Sequence, residues 1–304
     1  MEETKFIWMN GKMVEWKDAK VHFLTHTLHY GTGVFEGIRC YNTPKGPAIF
    51  RLKDHTKRLF YSASVVNMKI PFSEEEINEA TLAVVRENEL KECYIRPLVF
   101  FGYGNMGLST VNCIVDVGIA AWPWGAYLGD EGINNSIRMK ISSWIRPPTN
   151  IMPTHAKVCG NYVNSTIAKI DALNTGYAEA ILLDLKENVA ECTGENLFML
   201  KDSVLITPPT DNTLDGITRK SMMTIAKDIG IEVREELFNR DQLYKADEVF
   251  ITGTAAEATP VREIDNNAIG SGKPGPITKK LIAKYADAIH GKIPKYEKWL
   301  DYVK

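Results

Sequence analysis

Two short apolar runs, Phe6-Ile7-Trp8-Met9 and Met13-Val14-Glu15-Trp16, open the chain on either side of Asn10-Gly11. Asn-Gly readily takes the positive φ angles of a tight turn, so residues 6–16 are predicted as a β-hairpin. Residues 34–41 and 48–52 read as further strands, and over 55–66 the residues Leu59, Ser62, Ala63 and Val66 fall at helical spacing. Ser73 with Glu76 makes a capping box ahead of Ile77, Ala80, Val84 and Val85, which predicts a second helix. Residues 93–103 and 113–122 are apolar and rich in branched and aromatic side chains, as buried strands are. The first stretch is therefore α+β.

Three glycines and a proline between Pro123 and Gly132 mark a linker. The predicted organisation is a small α+β domain over residues 1–122, an interdomain loop over 123–133 and a larger domain over 134–304. Beyond the loop, strands (138–144, 179–184, 196–200, 204–207, 248–252) alternate with helices (161–173, 217–229), an α/β pattern.

A chain of 304 residues can bury a large core. Its 36 basic and 38 acidic residues are interspersed and leave a net charge of −2, so no basic field is available for nucleic acid or an anionic membrane. A small-molecule partner fits better. The five cysteines are scattered and never form a C-x-x-C pair, which argues against a disulfide framework or a thiolate zinc site and for a reducing, cytoplasmic setting. Acidic Glu2-Glu3 stands where a secretion signal wants basic residues, and every apolar run is broken well short of the roughly 20 residues of a spanning helix. A soluble protein is expected.

Several segments could carry chemistry. His22, His26 and His29 have a spacing that a helix could present to a metal, yet no carboxylate or thiol accompanies them, and hydrogen-bonded structural histidines are the better reading. The run from Gly31 to Gly37 resembles a phosphate loop, but its third glycine comes late and a strand follows, so turn and close-packing glycines beside a binding surface are expected. Lys157 lies between Ala156 and Val158, where desolvation would lower an amine pKa, with Tyr162 five residues on. Glu191 and Glu195 read locally as turn acids before an apolar strand. Residues 215–219 open a helix whose first amides and Thr218 hydroxyl could hold a phosphate. Gly253-Thr254-Ala255-Ala256-Glu257 follows a buried strand, where small residues allow close backbone approach to a ligand.

Taken in order, Leu28 to Arg39, His55 to Leu59, Tyr94-Ile95-Arg96-Pro97, Pro123 to Tyr127, Lys157 to Tyr162, Gly194 to Phe198, Gly216 to Arg219 and Gly253 to Glu257 resemble the branched-chain aminotransferases of the fold-type IV pyridoxal-phosphate enzymes. The resemblance runs over nearly the whole chain. It implies a two-domain fold with a smaller N-terminal α+β domain and a larger C-terminal domain with a β-barrel-like core. It implies pyridoxal 5′-phosphate as cofactor, carried by Lys157 as a Schiff base, with Lys157 also moving the substrate's α-proton.

The resemblance also assigns the remaining roles. Tyr162 meets the cofactor's phenolic oxygen, Glu191 its pyridine nitrogen and Leu214 its ring face, while Arg58, Ile217, Thr218 and Thr254 hold the phosphate. Tyr94 with the amides of Thr254 and Ala255 takes the α-carboxylate, and Arg96 with Tyr30 the distal carboxylate of glutamate. Phe35, Gly37, Trp124 and Tyr127 form the apolar wall, and Met106 reaches the partner's pocket in a homodimer or in a larger assembly of dimers. The implied reaction is ping-pong transamination between L-leucine, L-isoleucine or L-valine and 2-oxoglutarate. Rival readings on the same fold are a D-amino-acid aminotransferase, an aminodeoxychorismate lyase and a catalytically silent ligand-binding protein. A dinucleotide-dependent oxidoreductase ranks last. Cys192-Thr193 replaces the family's usual Gly-Ala, Asp215 its common Pro, and Cys159 beside the lysine is unusual.

Overall fold

A computed structural model of the chain describes residues 2–124 and 136–304. Tyr127 and most of the expected interdomain loop lie outside the described residues. Two compact units emerge, one of residues 2–124, 156–160 and 288–304, the other of residues 136–155 and 161–287. The division does not follow the chain linearly, for backbone reasons. Val158 bridges to Val34, the Phe35 N–H donates to the Lys157 carbonyl at 3.1 Å, and the Gly160 N–H donates to the Gly31 carbonyl at 3.0 Å. At the other end of the sequence, Leu300–Tyr302 pairs with Gly46–Phe50.

The first unit carries an eight-stranded antiparallel sheet in the order Leu300–Tyr302, Gly46–Phe50, Ile38–Thr43, Cys93–Phe101, Val115–Trp122, Phe6–Met9, Lys12–Glu15, with Gly33–Phe35 also on Cys93–Phe101. Helices Leu52–Val65 and Glu74–Glu87 bury Leu59, Ala63, Ile77 and Val84 in one core with Ile38, Ile95 and Ile119. The Ser73 and Glu76 capping box is present. So is the hairpin turn: Asn10 and Gly11 sit at φ 49° and 95°.

The strand expected over 34–41 is interrupted. Phe35 faces Leu98 and Ile38 faces Ile95, so the register runs through, yet Glu36 and Gly37 leave the ladder. Pro97 explains it, because its carbonyl accepts from the Glu36 N–H at 3.0 Å but it has no N–H to return. A five-residue helix, His26–Tyr30, was not legible from its polar pattern; it ends on Gly31 in the left-handed region.

The second unit carries a nine-stranded mixed sheet in the order Val189–Cys192, Glu179–Leu183, Ile137–Ile141, Glu257–Ile264, Glu248–Gly253, Asn196–Lys201, Val204–Thr207, Glu232–Glu235, with Asn267–Ala268 on Glu257–Ile264. The first strand of that path packs back against Asn196–Lys201, which curls the sheet toward the barrel form that the family resemblance implied. Its core gathers Met139, Ile181, Leu197, Phe238 and Ile251. Helices Tyr162–Asn174 and Ile217–Asp228 pack on it. Strands Val189–Cys192, Glu232–Glu235 and Glu257–Ile264 and helix Pro276–Ile289 extend the sequence reading.

Asn10 does more than turn the chain. Its side chain donates to Asp116 and accepts from the Val117 N–H, both at 2.8 Å, pinning the hairpin to its neighbouring strand. Asn10→Ala also places a less tolerant residue at positive φ, and a loss of about 1–2 kcal/mol in urea unfolding is expected. An unchanged midpoint would contradict it.

Candidate active site

Lys157 is the centre of the first unit's polar cluster. Its N–H donates to Ser62 Oγ at 2.9 Å, which ties the segment to helix Leu52–Val65, and its Nζ lies 4.6 Å from the centroid of Phe35. Removal of the amine from water lowers its pKa to about 8; the Glu36 carboxylate pulls upward, and Arg58 opposes that pull. The result is an amine with a substantial neutral fraction near physiological pH. Glu36 is fully buried and accepts from Arg58 Nε at 2.6 Å, Arg58 Nη2 at 2.8 Å and His55 Nδ1 at 2.7 Å. Burial pushes its pKa up, but the Arg58 charge and these hydrogen bonds outweigh it and hold the carboxyl well below the usual range. Burial likewise holds His55 below its ordinary value, so it serves Glu36 as a neutral donor.

Tyr94 is shaped by its surroundings. Its hydroxyl accepts from Arg96 Nη2 at 3.1 Å, its ring packs on Trp122 and Trp124 at 5.2 and 5.1 Å, and Arg96 lies over Phe35 at 4.7 Å. A Cβ on Gly37 would fall 2.1 Å from the Tyr94 hydroxyl oxygen, so any larger residue there would displace the Tyr94 ring. Tyr30 and Met106 form a separate, more exposed group, in which the Gly107 N–H donates to the Tyr30 hydroxyl at 3.2 Å.

In the second unit Glu191, Leu214 and the start of helix Ile217–Asp228 meet at Asn196. Glu191 is not a solvated turn acid: it is a buried strand residue, 5% exposed. Arg146 Nη2 lies 2.8 Å from its Oε1, while Asn196 Nδ2 at 3.3 Å and the Leu214 N–H at 3.1 Å meet Oε2. Every one of these partners is a donor, the pattern of an ionised carboxyl. Asn196 Nδ2 also donates to the Leu214 carbonyl at 2.9 Å, and a Cβ on Gly216 would fall 2.0 Å from Asn196 Oδ1, which places the start of helix Ile217–Asp228 beside this group. That helix is capped by Gly216, with no side-chain cap bond and no acid in its first turn. Thr254, Ala255 and Ala256 form the turn after Glu248–Gly253, and Gly253 sits close to Glu195, where a Cβ would meet Glu195 Cγ at 3.2 Å. Tyr162 opens its helix, half-buried.

Four participants escaped sequence reasoning. Glu36 was hidden in a glycine pattern, His55 and Asn196 in element assignments, and Arg146 in a Pro-rich segment with no local signal. Only Glu36 left a trace, as a lone acid in an apolar run opposite a helix presenting His55 and Arg58 three residues apart. The histidine trio is hydrogen-bonded: His26 contacts Thr32 Oγ1 and the Gly107 carbonyl at 2.7 Å each, and His29 Nε2 contacts the Phe23 carbonyl at 3.1 Å. Asp215 pairs with Lys220, and Thr193 donates to buried Glu179 at 2.6 Å.

Residues 33–264 match the amino-transferase class IV family model. The chain is 51% identical over 298 residues to a branched-chain-amino-acid aminotransferase of Pseudomonas aeruginosa, covering 98% of this chain and 97% of the relative. Among solved structures it is similar to the T.th. branched-chain amino acid aminotransferase with pyridoxamine 5′-phosphate, at TM-score 0.97, 51% identity and full coverage of both chains. The same enzyme complexed with N-(5′-phosphopyridoxyl)-L-glutamate matches at TM-score 0.96, with 51% identity and full coverage of both chains.

Two outcomes follow from the lysine cluster. Lys157 has a folded pKa below its unfolded value, so its protonated form opposes folding; that penalty is complete below pH 8 and relaxes as pH rises toward the ordinary lysine value of 10.5. In ligand-free protein, Lys157→Met is expected to be more stable than wild type at pH 7, with the gap narrowing by pH 10, as thermal melts would show. Glu36→Gln strands Arg58 and is expected to cost about 3–5 kcal/mol in denaturant unfolding, as breaking a buried ion pair does. A loss below about 1 kcal/mol would contradict the proposed clamp.

Proposed function

The chain belongs to the class IV aminotransferase family, and from that membership we propose that it moves amino groups between L-leucine, L-isoleucine or L-valine and 2-oxoglutarate, yielding branched 2-oxo acids and L-glutamate. It is an enzyme of fold type IV. The observation that carries the proposal is the half-buried amine of Lys157, held at about pKa 8 in contact with an aromatic ring. Such an amine can bond to an aldehyde and exchange a proton near neutrality.

The residues present suit pyridoxal 5′-phosphate. When bound, that cofactor supplies an aldehyde carbon that receives the amino group and a ring that accepts electrons from the substrate's α-carbon. Lys157 would hold it covalently, and its Nζ would take the α-proton from one carbon and return it to another. Glu191, which faces the donors Arg146, Asn196 and the Leu214 N–H, would accept from the ring nitrogen. The start of the helix at Ile217 and Thr218, which has no acid in its first turn, would offer backbone donors to a phosphate, and Thr254 and Arg58 would complete its binding. Two of Arg58's N–H groups serve Glu36, which orients the guanidinium before any ligand arrives. Tyr162 would donate to the phenolic oxygen, and Leu214 would cover the ring.

For substrate, Tyr94 and the amides of Thr254 and Ala255 would bind the α-carboxylate. Arg96, steadied by Tyr94 and Phe35, would with Tyr30 meet the distal carboxylate of 2-oxoglutarate. Phe35, Gly37, Trp124 and Tyr127 would face the branched chain. Exposed Met106 would reach a partner's pocket in a homodimer or an assembly of dimers, in the cytoplasm. Because both half-reactions use one site, the kinetics would be ping-pong.

The test is the visible absorption spectrum of protein loaded with pyridoxal phosphate, followed through additions of L-leucine and then 2-oxoglutarate. Loss of the band with leucine and its return with 2-oxoglutarate are expected in wild type, with neither step in Lys157→Ala. A response to D-alanine with none to L-leucine would transfer the reading to a D-amino-acid enzyme, and absence of any band would sink the aminotransferase reading.

A further inference from the structure

Arg146 has no place in the assignments above, yet its guanidinium forms an ion pair with Glu191, Nη2 lying 2.8 Å from Oε1. Its backbone N–H donates to the Leu183 carbonyl at 2.8 Å, which anchors it to strand Glu179–Leu183, and its side chain is 8% exposed. Nη2 reaches Glu191 Oε1, whereas Nε is buried without a hydrogen-bond partner among the described residues. The contact is therefore end-on. Because Asn196 and the Leu214 N–H hold the other oxygen, Glu191 is pinned at both oxygens and its carboxylate plane is fixed.

We propose that Arg146 is a positioning residue for transamination: it keeps Glu191 charged and aimed as the acceptor for the cofactor's ring nitrogen. The inference rests on the reading of Glu191 given above. It goes further by separating two tasks. A buried carboxylate without a counter-charge takes up a proton, and a protonated Glu191 would no longer be a pure acceptor. Asn196 and the Leu214 amide are neutral and orient one oxygen only, so the charge is supplied by Arg146.

The route by which the side chain arrives makes the idea testable. Arg146 lines a cavity of about 280 Å³, together with Pro148, Val189, Ala190, Pro208 and Pro209. Truncating it would leave a guanidinium-sized space continuous with that cavity. Arg146→Ala, loaded with pyridoxal phosphate, is expected to lose about 10–100-fold in kcat with KM for L-leucine changed less than about twofold, and to show a displaced cofactor band. Added guanidinium should restore both the band and much of kcat, and Arg146→Lys should retain more than Arg146→Ala. In a Glu191→Gln background, Arg146→Ala should have little further effect, because the two act as a unit.

Wild-type band and kcat in Arg146→Ala, alongside a damaged Glu191→Gln, would overturn the inference while leaving the Glu191 reading intact. An undamaged Glu191→Gln would overturn that reading itself. A loss in Arg146→Ala that neither guanidinium nor the lysine variant relieves would reduce Arg146 to a packing role and also overturn the inference. Should Arg146→Ala fail to fold, the lysine variant's band and kcat decide: wild-type values with a damaged Glu191→Gln count against the inference, and an intermediate loss supports it.

Discussion

A carboxylate taken out of water must be solvated by the protein, and the first unit is arranged around that requirement at Glu36. The sequence of causes starts at Pro97, which cannot return a ladder hydrogen bond, so the facing strand opens at Glu36 and Gly37. The released Glu36 takes three donors from Arg58 and His55, which fixes helix Leu52–Val65 against the sheet. That helix in turn offers Ser62 to the Lys157 backbone, and the strand residue just before the opening, Phe35, holds the Lys157 carbonyl. One missing N–H, that of a proline, thus propagates to the position of the Lys157 backbone.

The same clamp decides the amine's chemistry. At an effective dielectric near 20, a lone carboxylate a few ångströms away would be worth about 3–4 kcal/mol to an ammonium and would keep it protonated well above neutrality. Glu36 is not alone, because Arg58 is bonded to it in two places and opposes its effect on Lys157. Desolvation is left as the prevailing influence, and the pKa settles at about 8. A buried acid beside an amine that must be neutral near physiological pH is tolerable only when it is already neutralised. The second unit repeats the logic at Glu191, where Arg146 is the counter-charge.

What could be read from the sequence divides along a physical line. Local rules sufficed for the hairpin at Asn10-Gly11, the Ser73 cap and the buried strand at residues 93–101, because turn preference, capping and apolar run length are written within a few residues. Family motifs are what bring Lys157, Tyr94 and the loop residues around Gly253 into the candidate site. Hidden were the partners that act across long stretches of chain: Arg146 meets Glu191 with nothing local to announce it, and Glu36, a lone acid in an apolar run, meets Arg58. Glu191 itself read as a turn acid because its strand, Val189–Cys192, is only four residues long and contains that charge. The joining of residues 156–160 and 288–304 to the first unit is likewise a matter of sheet pairing and backbone bonds, invisible to composition.

The departure at Cys192-Thr193 gains a physical meaning from the acids near it. Glu179 is fully buried and accepts from Lys169 Nζ at 2.5 Å, from Thr193 Oγ1 at 2.6 Å and from the Ala180 N–H at 2.7 Å. Glu195, also buried, has its pKa raised, first by desolvation and then by the Glu179 charge. Near neutrality it is largely protonated, so Glu179 and Lys169 balance and Glu195 adds little charge. A hydroxyl at position 193 helps Glu179 carry that negative charge, where the alanine usual in the family would bring no donor. Burial first and the neighbouring Glu179 second favour the protonated form of Glu195. The substitution is thus compatible with the acceptor role proposed for Glu191.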